Sequence, residues 1–222
     1  MTKELTVIIG ASRGIGLELC RAYRPDASIL VGTARKACSE LSAVVDEAWL
    51  EVDVTSPTLE ESLLSNLKQR TIGRLIIAAG ILESDGLEPP SCEAIRRQFE
   101  VNALGALRCA YRLHSSVKNG GTIAFLTSRM GSISDNTSGG YYGYRISKAA
   151  LNAGAKSLAI DLTSRSIKVA ILHPGFVKTD MTNGQGFIDA PTSAAILKAQ
   201  IDTWKIEETG QFRHADGEPL PW

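Results

Sequence analysis

Gly10-Ala11-Ser12-Arg13-Gly14-Ile15-Gly16 joins an apolar run, Leu5 to Ile9, to a helix-like segment from Ile15 to about Tyr23. A strand must turn abruptly into a helix here. Glycine suits the bend because it tolerates positive φ and leaves no Cβ between the backbone and whatever approaches it. The helix start that follows offers unpaired N–H groups at the positive end of the helix dipole. Two readings fit the stretch taken alone: a tight turn that needs small residues, or a cradle for a pyrophosphate. Its surroundings favour the cradle.

The chain has 222 residues, 44% hydrophobic and 22% charged, with no change of composition where a linker would sit. One domain spanning residues 1–222 is therefore expected. Its 24 basic residues balance 24 acidic ones. Such a surface has no strong field to draw nucleic acid or an anionic membrane, so the expected partners are small molecules or a second copy of the chain. Nowhere does an uncharged apolar run reach the roughly 18 residues of a membrane span, and Met1-Thr2-Lys3-Glu4 leads into the first strand without an apolar leader. Cys20, Cys38, Cys92 and Cys109 form no Cys-x-x-Cys pair. A reducing, cytoplasmic setting and no metal site are the expectation.

Further along, Ser28 to Thr33 is a second apolar run that reads as a buried strand, with Arg35 just past its end. In nucleotide-binding sheets that end lies near the adenosine ribose, where an acidic side chain would bind a free 2′-hydroxyl. No Asp or Glu stands there. Arg35 and Arg13 offer guanidinium groups to a 2′-phosphate instead, which points to NADP(H), unless both are ordinary solvated charges. A short helix, about Lys36 to Asp46, precedes a third strand, Trp49 to Val52. Asp53 follows it, placed either to accept from an adenine amino group or to tie down the next loop; Ser56 and Pro57 then suggest a helix cap and first turn. A fourth strand, Leu75 to Ala79, closes at Gly80, a small residue that lets backbone approach a ligand, and the loop Glu83 to Pro90 covers that edge.

A long helical pattern runs from Ser91 or Cys92 to about Val117, interrupted by Asn102 and Gly105. Asn102 competes for backbone hydrogen bonds in mid-helix, so it marks a purposeful distortion or an interhelical contact. Thr122 to Thr127 is a fifth strand with Ser128 at its end. The next helix, Tyr141 to about Thr163, sets Tyr144 and Lys148 one turn apart on one face. An ammonium beside a phenol favours the phenolate and lowers a pKa normally near 10, which would suit proton exchange with a carbonyl. An exposed helical pair is the other reading. Ile167 to Leu172 is a sixth strand, after which come His173, Pro174, Gly175, Val177 and Thr179, then a helix from Thr192 to Trp204 and a short strand from Gly210 to Arg213.

Taken together, Gly10 to Gly16, Asp53, Ala79-Gly80, Asn102, Ser128, Tyr144 with Lys148, and Pro174-Gly175 with Thr179 resemble the classical short-chain dehydrogenase/reductases, over nearly the whole chain. Ser128 to Ile133, the run Gly139 to Tyr144 and the ending Asp216 to Trp222 look like the C-factor and sniffer-like carbonyl reductase branch. The resemblance implies a single α/β domain of Rossmann type, a doubly wound parallel sheet of order 3-2-1-4-5-6-7, in a homodimer or homotetramer. It also implies hydride transfer between NADP(H) and a carbonyl or alcohol substrate. By the same resemblance Tyr144 is the general acid and base, Lys148 binds the nicotinamide ribose and depresses the phenol's pKa, Ser128 holds the substrate oxygen, and Asn102 holds a relay water. Gly10, Ser12, Arg13, Gly14, Ile15, Gly16 and Arg35 would hold the adenosine phosphates, Asp53 and Val54 the adenine, Ala79 and Gly80 the ribose, and Pro174, Gly175, Val177 and Thr179 the nicotinamide end.

Two features depart from the pattern. Ile77-Ala78 stands where that family usually has Asn-Asn, and the segment Asp180 to Ala190 is shorter than its usual substrate lid. A cofactor-binding regulator of the C-factor type is a rival reading, opposed by retention of Asn102, Ser128, Tyr144 and Lys148. A nucleotide-sugar epimerase would need a longer chain.

Overall fold

The first strand, β1 (Leu5–Ile9), is buried along its whole length. Its side chains divide between two cores by the two-residue period of a strand: Leu5, Val7 and Ile9 enter one, Ile8 the other. A strand buried on both faces needs helices on both, and the computed structural model, which describes residues 4–88 and 91–222, has them. Met1 to Lys3 and the Pro89-Pro90 end of the expected covering loop lie outside the described residues.

Seven strands form one parallel sheet in the order β3-β2-β1-β4-β5-β6-β9. They are β2 (Ile29–Thr33), β3 (Glu47–Trp49), β4 (Ile72–Ile77), β5 (Val117–Leu126), β6 (Lys168–His173) and β9 (Phe212–His214) around β1. A separate parallel pair, β7 (Val177–Lys178) with β8 (Ile188–Asp189), lies in the segment after β6. Helices α1 (Gly14–Tyr23) and α7 (Ala190–Thr203) supply Leu17, Leu19, Leu197 and Ile201 to the core that Ile8 enters. On the opposite face α3 (Leu59–Leu67), α5 (Ala106–Leu113) and α6 (Tyr142–Asp161) supply Leu63, Ala106, Leu151 and Ala155. Because β1 lies between β2 and β4, the loops leaving β1 and β4 part to opposite faces and open a crevice at their carboxyl ends.

Several boundaries differ from the sequence expectation, each for a local reason. The helix after β2 shrinks to four residues, α2 (Ser39–Ser42), and β3 starts earlier, because Glu47 and Ala48 pair with Val31 and Gly32. Thr58 rather than Ser56 flanks α3, since Ser56 Oγ accepts from the Thr58 amide at 3.2 Å and Pro57 stays in the turn. Strand β5 begins at Val117, upstream of Asn119-Gly120-Gly121, because Val117 pairs with Ile72 and a register shift absorbs the turn. The long helical pattern divides into α4 (Cys92–Phe99), a π-helical stretch (Glu100–Gly105) and α5. Asn102 sits inside that stretch. The Ile77 side chain, in the place of an expected asparagine, is buried and opposite Phe125, so apolar packing replaces polar bracing there.

Candidate active site

The crevice runs from the glycine turn past the ends of β2 and β4 to α6. Gly10 has φ +81°, and a Cβ there would lie 2.7 Å from Ala79 backbone. At Gly16 a Cβ would lie 2.2 Å from the Gly10 carbonyl oxygen. The turn therefore closes only with hydrogens at both positions. Arg13 precedes α1 without a side-chain cap, which leaves the first N–H groups of the helix without a capping side chain. This is the observation that fits a pyrophosphate: bare amide donors, a helix N-terminus and no side chain in the way.

Ser12, Arg13, Gly14, Ile15, Arg35, Asp53, Val54, Ala79 and Gly80 all line the same crevice as the glycines, and Tyr144, Lys148, Pro174 and Thr179 line its far end. Arg35 is exposed at the rim, and the largely exposed Arg13 guanidinium lies 3.7 Å from Asp180 across it. Asp53 Oδ1 accepts from the Thr55 amide at 2.9 Å and the Thr55 hydroxyl at 2.8 Å, so tying down the loop is one of its roles. Gly175 and Val177, like Asn102 and Ser128, stand behind the residues that line the crevice. Gly175 turns the chain at φ +92° against Ile188, and the Val177 side chain is buried beside β8.

At the far end the catalytic candidates converge. Tyr144, Lys148, Ser128 and Asn102 are all buried, which excludes the exposed-pair reading of the tyrosine and lysine. Lys148 Nζ donates to the Leu126 carbonyl at 3.0 Å and lies 5.7 Å from the Tyr144 ring centroid. Burial pushes the Lys148 ammonium down to about 8. It also pushes the Tyr144 phenol up to about 12, while the neighbouring Ser128 hydroxyl pulls the other way. The expected depression of the phenol by Lys148 is thus not produced by these residues; desolvation outweighs it.

Ser128 Oγ accepts from the Met130 amide at 3.2 Å, starting a short turn, Arg129–Gly131, that lies on α6. Gly131 permits that contact, since a Cβ there would meet Lys148 backbone at 2.8 Å. The Asn102 side-chain amide ties two elements together. Its Oδ1 accepts from the Ile81 amide at 2.7 Å, and its Nδ2 donates to the Ile81 carbonyl at 2.9 Å and to Ser147 Oγ at 3.0 Å. Ser147 Oγ in turn donates to the Tyr144 carbonyl at 2.8 Å. Ser147, Gly131 and the Leu126 carbonyl carry no motif of their own, although Ser147 is legible as one helical turn past Tyr144.

A profile described as short chain dehydrogenase matches residues 4–186, so the chain belongs to the short-chain dehydrogenase family. It is 33% identical to the 1-hydroxy-2-glutathionyl-2-methyl-3-butene dehydrogenase of Rhodococcus sp. (strain AD45), over 97% of this chain and 98% of that one. It is 40% identical to the C-signal of Myxococcus xanthus, over 57% of this chain and 77% of that one. Among solved structures, the carbonyl reductase Sniffer of D. melanogaster matches with TM-score 0.88 at 27% identity, covering 100% of both chains. A carbonyl reductase from Pseudomonas aeruginosa PAO1 in complex with NADP matches with TM-score 0.83 at 30% identity, again covering 100% of both. Within the family these similarities support the branch of C-signal and Sniffer.

Proposed function

We propose that the protein is an NADP(H)-dependent oxidoreductase that interconverts small carbonyl compounds and alcohols, with Tyr144 as the acid in reduction and the base in oxidation. The observation that carries this is a crevice with buried Tyr144 and Lys148 at one end, the Ser128 hydroxyl against the phenol, and a side-chain-free helix N-terminus at the other. NADP(H), when bound, exchanges the hydride. Ser128 holds the carbonyl oxygen by its hydroxyl, and Tyr144 donates its proton to that oxygen as charge develops there. Lys148, fixed by the Leu126 carbonyl, sets a positive charge beside the phenolate that this leaves. Arg13 and Arg35, with no acidic residue at the end of β2, favour the phosphorylated dinucleotide, and the Pseudomonas relative was solved with NADP. The Rhodococcus relative is named a dehydrogenase and the Pseudomonas one a carbonyl reductase, names that describe the two directions of such a reaction.

The decisive experiment is a panel of aldehydes, ketones and quinones with NADPH oxidation as the readout. Turnover of several small carbonyls supports the reading; none turned over, with NADPH bound, favours the second reading, a cofactor-binding signalling protein, which rests on the 40% identity to C-signal. A homo-oligomer built on α4 to α6 is part of the proposal, because Phe99, Leu104, Tyr111, Ile146 and Ile160 are exposed there. Light scattering at micromolar concentration should give a dimer or tetramer mass; a monomer mass removes that part. With its free cysteines the chain suits a cytoplasmic setting.

A further inference from the structure

The helix that carries Tyr144 lacks a cap of its own. Tyr141, the residue before α6, has φ +51° and makes no side-chain capping bond, and the first turn holds no acidic residue. Twenty residues of aligned peptides therefore end in N–H groups that need an acceptor. The acceptor comes from the loop after β4. Asp85 Oδ2 accepts from the Gly143 amide at 2.8 Å, and the Asp85 carbonyl accepts from the Tyr141 amide at 3.0 Å. Contact at this point is close, because a Cβ on Gly143 would lie 3.0 Å from Asp85 Oδ2 and 2.9 Å from Ile95 Cα. The other carboxylate oxygen, Oδ1, is buried without a hydrogen-bond partner among the described residues. Compensation for that carboxylate thus comes from the end of α6.

Asp85 is also the last of a series of fixed points. Ile81 is bonded through both its amide and its carbonyl to Asn102, and the Glu83 amide donates to Gln98 Oε1 at 3.0 Å. Asn102 reaches α6 at Ser147, and Asp85 reaches it at Gly143. Tyr144 lies between these two attachments. We infer that Asp85 is a positioning residue for Tyr144: its carboxylate caps α6 from the β4 loop and sets the height of the phenol against Ser128. The inference rests on the oxidoreductase reading for its catalytic consequence and on the geometry alone for the cap.

The test compares Asp85→Ala and Asp85→Asn with the unaltered protein. Measured quantities are kcat and KM for 4-nitrobenzaldehyde with NADPH, NADPH affinity by fluorescence, and amide hydrogen exchange across residues 142–147. Asp85→Ala should lower kcat about tenfold, as a small misplacement of an acid does, with KM and NADPH affinity within about twofold, and should speed exchange at the start of α6. Asp85→Asn, which keeps an acceptor, should recover most of kcat. Unchanged kcat in Asp85→Ala, a parallel loss of NADPH affinity, or an Asp85→Asn variant as impaired as Asp85→Ala would each overturn the inference. If Asp85→Ala does not fold, Asp85→Gln replaces it, with lower kcat than Asp85→Asn expected and equal kcat overturning the inference. An unaltered protein that turns over no carbonyl sinks the oxidoreductase reading instead, and the exchange result then decides the cap by itself.

Discussion

Lys148 Nζ and the carbonyl oxygen of Leu126 are 3.0 Å apart, so the last peptide of β5 fixes the ammonium that α6 delivers. Strand and helix meet there, and the bond holds the positive charge beside Tyr144 in a buried place. Burial lowers the Lys148 pKa to about 8 and raises that of Tyr144 to about 12. Below about 8 the ammonium is charged and the phenol protonated, the state that reduction needs; above it the ammonium loses its charge first. Carbonyl reduction should therefore fall as pH rises through about 8. Lys148→Arg should abolish that alkaline limb, at a lower plateau, because a guanidinium does not titrate there. A limb that survives in the arginine variant assigns it to another group.

Three tyrosines crowd the start of α6, yet burial distinguishes them. Tyr144 is 8% exposed, Tyr141 39% and Tyr142 40%. Tyr144→Phe should keep the fold and NADPH binding but lose roughly 10² to 10⁴ in turnover, the range for a missing general acid. Tyr141→Phe should stay within a few-fold. Steady-state kinetics on both variants checks this, and the reverse outcome moves the acid to Tyr141.

Cofactor choice should follow the rim arginines. Arg35 lies exposed just past the end of β2 and lines the crevice, and the proposed function gives it the 2′-phosphate. Arg35→Asp should weaken NADPH by about tenfold or more, the worth of a charge-assisted bond, and narrow or reverse the preference over NADH. Comparable efficiency of the unaltered protein with both cofactors contradicts the assignment.

The glycines of the turn should not respond alike. Gly16→Ala places a Cβ 2.2 Å from the Gly10 carbonyl oxygen, a backbone clash that must open the turn. NADPH affinity should fall beyond about tenfold, the scale on which one clash removes a preorganised contact. Gly14→Ala meets only Thr179 at 3.7 Å, and its cost is the φ of +55°, about 1–2 kcal/mol of stability. Thermal melts and fluorescence titration of the two variants separate these effects.

Local sequence was enough for the succession of strands and helices along the chain, the turn between β1 and α1, and the one-turn interval between Tyr144 and Lys148, while the order of strands within the sheet came only with the family resemblance. The first three are local: apolar runs, glycines at a bend and a four-residue helical interval are set by near neighbours along the chain. Tertiary structure alone decided the rest. Asn102 could have been a distortion or a contact; it is both, because a π-helical stretch turns its amide toward Ile81 and Ser147. The segment Asp180 to Ala190, whose length alone shows nothing of its fastening, is held by the β7–β8 pair and by Phe176 against Phe187, with ring centroids 5.5 Å apart. The Tyr144 phenol shifts upward, opposite to what its neighbour on the helix implies, for the same reason. Sequence shows an ammonium one turn from a phenol, but only the packed fold shows how much water both have lost, and desolvation is a property of everything around a group rather than of its neighbour on the helix.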